Sequence, residues 1–203
     1  AAMIEHLDNQ VGELLDVLRE EDIEDNTLVL FCSDNGAHRE GGHSPEFWNS
    51  TGTLKGIKRD LYEGGIRSPL LARWVGTIAA GSTSDHISAF WDVLPTMAEL
   101  TAQPCPSQST GVSMLPTLVG NNGDQKEHEY LYWEHPQAVK RDQAIRVGPW
   151  KGVVRGWKTD STGAFELYNL ESDLSEQHDV AGKYPEIVKK MQRMMTEAHR
   201  DIL

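Results

Sequence analysis

The segment Leu28-Val29-Leu30-Phe31, followed by Ser33-Asp34-Asn35-Gly36, decides the fold class of this chain. Its first half is apolar and stops abruptly at turn-forming residues, so it predicts a buried β-strand. Asp34 and Asn35 then lie just past the carboxyl end of that strand. In open α/β sheets this edge is where ligands bind. The sequence therefore predicts a ligand site at the end of this strand.

The side chains of Asp34 and Asn35 are candidate metal ligands. A carboxylate beside an amide oxygen is a pair of hard ligands that suits Ca²⁺ or Mg²⁺ rather than a thiophilic metal. Lysines and glycines follow within Leu54–Pro69, and this combination suits an anion held next to that cation. The sequence Asp-Asn-Gly is also a common turn, because Asp and Asn form Asx-turns and Gly accepts positive φ. Taken alone, it is compatible with both interpretations.

Composition and charge limit the kinds of molecule that this chain is expected to bind. The 203 residues are 38% hydrophobic and 25% charged, and the net charge is −12. This acidity argues against nucleic acid as a partner. Positive charge is concentrated in residues 51–75 and 131–160, which are either places for a small anion or solvated faces. The sequence has no run of 18 apolar residues and therefore predicts no membrane span.

The first part of the chain alternates between helical and strand-like patterns. Apolar spacing predicts an amphipathic helix over residues 2–20 before the strand at 28–32, an order typical of an α/β layer. A second buried strand is predicted over 68–75, after a long loop. A helix is predicted over 86–100, and Pro95 is expected to kink or interrupt it.

The glycine- and asparagine-rich cluster at 120–124 predicts a boundary between residues 1–123 and 124–203. The second of these parts contains four short strand-like segments, two of them joined by Gly148-Pro149 as in a hairpin. A helical stripe rich in methionine follows from Pro185. The tail is therefore predicted to be a small antiparallel sheet packed with a C-terminal helix.

Two segments together resemble the sulfatase family of the alkaline-phosphatase-like superfamily. The first is Ser33-Asp34-Asn35-Gly36, and the second runs from Leu54 to Pro69 with Lys58 four residues before Tyr62-Glu63-Gly64-Gly65. The resemblance extends over essentially the whole chain. It implies an α/β fold, the later part of an alkaline-phosphatase-like sulfatase domain, followed by the small antiparallel sheet and C-terminal helix.

The resemblance implies a role for several residues. Asp34 and Asn35 match metal ligands of the family, for a cation that is usually Ca²⁺, with Mg²⁺ as the alternative. Lys58 matches a catalytic lysine that contacts the sulfate, where an ammonium and a fixed cation stabilise the charge of a sulfuryl group in transfer. Lys55 has no such match and is predicted to be a surface charge.

The nucleophile of the family is a formylglycine made from Cys or Ser in the signature Cys/Ser-x-Pro/Ala-x-Arg. Neither Cys32 nor Cys105 has the required residues around it. The chain is therefore predicted to be a C-terminal fragment, inactive alone, of an enzyme whose formylglycine lies upstream. The resemblance implies that the intact enzyme hydrolyses sulfate esters, with carbohydrate sulfates favoured. It also implies a periplasmic, secreted or lysosomal protein.

Two histidines are further candidates for binding a sulfated small molecule or glycan. His38 lies two residues past Gly36, and His135 ends the Trp-Glu-His sequence of the tail. For each, the alternative is a surface or locally hydrogen-bonded histidine. Two other functions stay open: a phosphonate or phosphate monoester hydrolase of the same superfamily, and a non-catalytic module that binds a sulfated glycan.

Overall fold

The structure is a computed structural model that describes residues 2–136, 141–157 and 163–199. The chain forms two compact units, Ala1–Cys32 with Leu70–His128 and Ser33–Pro69 with Glu129–Leu203. The chain passes from the first unit to the second for the last time after His128, and the boundary at 123/124 stays a prediction. The inclusion of Ser33–Pro69 in the second unit was not predicted. No described helix is both long enough and apolar enough to cross a membrane.

Six helices and six strands are described. The helices are α1 (Ala2–Glu20), α2 (Pro45–Trp48), α3 (Glu63–Ile66), α4 (Val93–Leu100), α5 (Leu115–Leu118) and α6 (Pro185–Ala198). The strands are β1 (Val29–Cys32), β2 (Leu70–Arg73), β3 (Leu131–Pro136), β4 (Arg141–Val147), β5 (Trp150–Trp157) and β6 (Phe165–Asn169).

The first unit contains the predicted helix α1 and a two-stranded antiparallel sheet. β1 pairs with β2 so that Val29 lies opposite Arg73 and Cys32 opposite Leu70. The expectation of a buried strand was wrong for β1, because Phe31 is exposed. A sheet of two strands covers little of its own surface.

Helix α4 is shorter than predicted, and Asp92 stabilises the 3₁₀ turn that precedes it. The Asp92 carboxylate accepts hydrogen bonds from the backbone N–H groups of Ala89 at 2.7 Å and Val112 at 2.8 Å. The α-helix itself begins at Val93, directly after this 3₁₀ turn. Pro95 falls in the first turn, where a missing N–H costs nothing. The expected kink is avoided for this reason.

The second unit contains the predicted antiparallel sheet, with strand order β3-β4-β5-β6. Alternation along its strands directs side chains to both faces. On one face, Ile145 and Leu167 pack with methionines of α6. On the other face, Ala144 and Val153 pack with Leu61 and Tyr62. The segment before Ile66 thus covers one face of the sheet, which explains why Ser33–Pro69 belongs to this unit.

Candidate functional site

The two segments that carry the sequence signal meet through their backbones in the second unit. The Gly36 N–H donates to the Gly65 carbonyl at 2.9 Å, and the Lys58 N–H donates to the Ala37 carbonyl at 2.7 Å. The loop that begins with Asp34 is therefore held against the segment that carries Lys58. The structure brings together the candidate metal ligands and the candidate anion-binding lysine.

Glycine at position 36 makes this contact possible. A Cβ on Gly36 would lie 1.8 Å from the carbonyl oxygen of Gly64, which is a backbone atom. Gly65 is equally restricted, since its Cβ would lie 2.1 Å from the Asp60 carbonyl oxygen. Backbone atoms cannot rotate away as side chains do, so any side chain at position 36 must separate the two segments.

Replacing Gly36 with alanine is expected to destabilise the protein by about 3 kcal/mol, the upper part of the usual range for overpacking. Chemical denaturation of the full-length protein measures this loss. Gly12→Ala is the matched control, because nothing lies within 4 Å of its Cβ position on helix α1. The control is expected to be neutral or slightly stabilising. Equal stability of the two variants would contradict the account of this contact.

Asp34 and Asn35 present oxygen atoms at this loop. The Asp34 side chain is exposed and makes no hydrogen bond to another described residue. The Asn35 Nδ2 donates to the Gly36 carbonyl at 3.1 Å, while the Ser33 hydroxyl donates to the Asn35 carbonyl at 2.8 Å. Among the described residues, no group of three His, Cys, Asp or Glu side chains has the arrangement of a metal site. These residues therefore fit part of a coordination shell, since Ca²⁺ takes 6–8 oxygen ligands.

The Lys58 ammonium is held by a carboxylate of the same loop. Lys58 Nζ lies 3.1 Å from Glu40 Oε2, and the Lys58 side chain is 31% exposed. Arg59 pairs with the other oxygen of Glu40. The hydrogen bond and charge of Lys58 lower the pKa of the Glu40 carboxyl below its usual value, and Arg59 adds to this effect. Glu40 is thus ionised at neutral pH and competes with any anion for Lys58.

Replacing Glu40 with glutamine is expected to strengthen anion binding by Lys58. Exposed ion pairs are weak, so we expect the inhibition constant of inorganic sulfate to fall by about two- to fivefold. Inhibition kinetics of the full-length protein measure it. Glu197→Gln is the matched control, because Glu197 pairs with Arg193 on helix α6 and does not line the groove that contains Lys58. Unchanged or weaker inhibition in Glu40→Gln would contradict a competing role for Glu40.

Lys58 lines an open groove with a volume of about 560 Å³. Charged and polar side chains of the same unit make up much of its lining, including Arg39, Glu46, Asn49 and Asp60. Asp60 also accepts the backbone N–H of Ile57 at 3.0 Å, which fixes the turn before Lys58. The groove therefore combines one ammonium with several hydrogen-bonding groups.

The two candidate histidines lie in different places. His38 Nδ1 accepts the backbone N–H of Glu40 at 3.1 Å, and its ring lies 5.5 Å from that of His43. This bond holds the His38 ring against the backbone of its own loop. His135 lies on β3 opposite Asp142. Among the described residues, no hydrogen bond or ion pair joins His135 to that loop, so its substrate-binding role stays a prediction.

A buried charged cluster behind the loop was not predicted. Lys151 Nζ lies 2.8 Å from Glu63 Oε1 and 3.6 Å from Glu176 Oε1, and all three side chains are at most 3% exposed. Burial acts to raise the pKa of the Glu63 carboxyl, but Lys151, together with Arg146 and Arg67, outweighs it and holds that pKa below its usual value. Burial raises the pKa of Glu176, since the charge of Lys151 compensates less there.

The expectation that Lys55 is a surface charge was wrong. Lys55 Nζ donates to the Tyr168 hydroxyl at 3.1 Å and to the Glu176 carbonyl at 3.2 Å. It also lies 3.9 Å from the centre of the Tyr62 ring. The hydroxyls of Tyr62 and Tyr168 both donate to Glu166 at 2.6 Å. Lys55 therefore fastens its segment to the sheet, through partners more than 100 residues away that a local pattern cannot show.

Comparison with known protein families gives two overlapping matches. The family described as "Sulfatase" matches residues 1–103, and the one described as "N-sulphoglucosamine sulphohydrolase, C-terminal" matches residues 57–201. The chain belongs to the sulfatase family. The resemblance carried by the two sequence segments is therefore confirmed.

Two curated sulfatases illustrate how much of the family this sulfatase chain spans. Arylsulfatase A of Homo sapiens is 30% identical over 214 residues, which cover 93% of the chain and 41% of that enzyme. Steryl-sulfatase of Rattus norvegicus is 36% identical over 203 residues, which cover 97% of the chain and 35% of that enzyme. The chain thus spans about two fifths of the length of the curated relatives it matches.

A solved structure supports the same assignment of the fold. The crystal structure of Ps i-CgsB in complex with k-i-k-neocarrahexaose matches the sulfatase chain with a TM-score of 0.78 and 29% identity. The match covers 96% of the chain and 41% of that protein. The predicted fold class, part of an alkaline-phosphatase-like sulfatase domain with a small antiparallel sheet and a C-terminal helix, is confirmed.

Proposed function

We propose that the full-length sulfatase that contains this chain hydrolyses sulfate esters of carbohydrates, with Lys58 holding the sulfate group. The observation that carries this proposal is the position of Lys58. Lys58 lines a polar groove, and its backbone is bonded to the loop that contains Asp34 and Asn35. A sulfate group in this groove would meet a fixed positive charge.

The proposed role of Lys58 is to stabilise negative charge on the sulfate group. In sulfate ester hydrolysis, negative charge is spread over the sulfuryl oxygens, and a preorganised cation stabilises it where it develops. Asp34 and Asn35 would hold a divalent cation together with ligands outside this chain, and that cation would supply further positive charge to the same oxygens. We also propose that the nucleophile, a formylglycine, lies outside this chain.

Replacing Asp34 with alanine is expected to weaken Ca²⁺ binding by the full-length protein by about 100-fold or more. Changes in the outer shell of a metal site already cost about 10- to 100-fold, and a direct ligand should cost at least as much. Isothermal titration with Ca²⁺ measures the affinity without an activity assay. Asp85→Ala is the matched control, since Asp85 is an exposed aspartate outside the described helices and strands. Equal affinities in the two variants would show that Asp34 is not a ligand.

The groove favours a carbohydrate over a steroid as the group that carries the sulfate. Arg39, Asn49 and Asp60 offer hydrogen-bond donors and acceptors that match sugar hydroxyls, whereas an apolar ring system could form no hydrogen bonds with them. Sulfatases of both kinds are among the similar proteins, since one relative is a steryl-sulfatase and one solved structure holds k-i-k-neocarrahexaose. The polar lining decides our choice between them.

A direct comparison of substrates tests the proposed function. The full-length protein is assayed on a sulfated disaccharide, a steroid sulfate and a phosphate monoester of the same sugar. We expect the highest kcat/KM for the sulfated disaccharide. Preference for the phosphate ester would support the alternative hydrolase. Binding of the sulfated sugar without turnover would support the non-catalytic module.

A further inference from the structure

The buried cluster of Lys151, Glu63 and Glu176 reaches the loop through a continuous series of bonds. Glu176 Oε2 accepts the backbone N–H of Glu63 at 2.7 Å, and Lys151 binds the Glu63 side chain. Glu63 is the first residue of helix α3, which continues with Gly64 and Gly65. Both the backbone and the side chain of Glu63 are thus fixed by residues of the C-terminal sheet and the segment that follows it.

The glycines that follow Glu63 make the contacts that define the candidate site. The Gly64 N–H donates to the Lys55 carbonyl at 2.7 Å, and the Gly65 carbonyl accepts from Gly36 at 2.9 Å. A displacement of Glu63 would therefore move the Gly65 carbonyl, which accepts the hydrogen bond from the Gly36 N–H. The Ala37 carbonyl of the same loop accepts the Lys58 N–H. The displacement would therefore affect both the loop that contains Asp34 and the segment that contains Lys58.

Burial of this cluster is costly, which argues against chance placement. Lys151 is fully buried, and Glu63 and Glu176 are 3% and 0% exposed. Glu176 Oε1 has no hydrogen-bond partner among the described residues, and its nearest charge is Lys151 at 3.6 Å. Replacing buried ion pairs with apolar residues is often neutral or stabilising, so stability alone does not require this one. A positioning role explains why the charges meet at the first residue of α3.

We propose that Lys151, Glu63 and Glu176 form a positioning cluster that sets the Gly64-Gly65 turn and thereby holds the loop from Asp34 to Ala37 against Lys58. The consequence for catalysis rests on the function proposed above, whereas the positioning itself does not. None of the three residues touches the substrate in this account. Their side chains fix Glu63, and from Glu63 the effect passes to the loop through backbone hydrogen bonds.

Hydrogen exchange at single amides of the full-length protein tests the proposal without any substrate. The reporters are the Gly36 and Gly64 amides, and the reference is the buried Ile145 amide of β4. In Glu176→Ala we expect the exchange rates of both reporter amides to rise by about tenfold or more. The exchange rate of the Ile145 amide should stay unchanged, because the substitution makes only a local opening of the Gly64-Gly65 turn easier. Glu176→Gln keeps an acceptor for the Glu63 N–H and should restore slow exchange.

A second variant covers the case in which Glu176→Ala fails to fold. Lys151→Met combined with Glu63→Gln removes one positive and one negative charge together, and it should give the same rise at Gly36 and Gly64. Wild-type exchange at both reporters in a folded variant would overturn the proposal. An equal rise at Ile145 would also overturn it, since that pattern indicates a general loss of stability. If the reporters respond but no sulfate ester is hydrolysed, only the proposed function fails.

Discussion

Replacing Lys58 with methionine is expected to lower kcat/KM of the full-length sulfatase by about 10²- to 10³-fold, the usual cost of removing one preorganised charge-stabilising group. Methionine keeps the length of the side chain but removes the ammonium. Steady-state kinetics on a sulfated disaccharide measure the loss. Because the ammonium should matter most where charge develops, kcat should fall more than KM rises.

The neighbouring Arg59 provides the matched control for Lys58. Arg59 binds the same Glu40 carboxylate, and its side chain is 63% exposed. Arg59→Met therefore removes an adjacent positive charge, but Arg59 does not line the groove described above. Its kcat/KM is expected to stay near that of the wild type. Equal losses in the two variants would mean that only the total positive charge matters, which contradicts a specific role for Lys58.

Replacing Lys151 with methionine is expected to destabilise the protein by about 3–5 kcal/mol. Removal of one partner from a buried ion pair leaves the other charge poorly compensated. Here two carboxyl groups lose their shared lysine, and Glu63 retains Arg67 at 3.3 Å. Chemical denaturation of the full-length protein at neutral pH measures the change. Lys190→Met, at an exposed position of helix α6, is the control and should change stability by less than about 0.5 kcal/mol.

The effect of Lys151→Met should depend on pH. In the wild type, the lowered pKa of Glu63 adds stability above its usual value of 4.5, and this is lost as the pH falls through the folded-state pKa. Without Lys151, only Arg146 and Arg67 oppose the effect of burial, so the pKa of Glu63 should rise from its wild-type value and acid should weaken the folded variant less. The difference between wild type and variant should therefore shrink below about pH 4.5. A difference that stays constant from pH 7 to pH 4 would contradict this electrostatic account.

The regular elements of the tail could be predicted because each depends on local pattern. The strands β3 to β6 and the helix α6 have the alternation or helical spacing of their type, and the structure confirms them. Asp34, Asn35 and Lys58 were selected as a group from two short segments. The structure brings those segments together through Gly36 and Gly65.

Contacts across long stretches of the chain could not be predicted in the same way. Lys55 looked like a surface charge because its partners, Tyr168 and Glu176, lie more than 100 residues away. The Glu63–Lys151 pair is separated by 88 residues. Periodicity reports which face of an element is apolar, but it says nothing about which distant charge that face meets. The bond from the Val112 N–H to Asp92 was missed for the same reason, because the two residues are separated by 20 positions along the chain.

A crystal structure of the full-length sulfatase with a bound sulfated disaccharide would test the central claim most directly. The measured quantity is the distance from Lys58 Nζ to the nearest sulfate oxygen. We expect a hydrogen bond of about 2.7–3.2 Å, with Glu40 displaced from Lys58. A sulfate group bound elsewhere, with Lys58 still paired to Glu40, would contradict the claim.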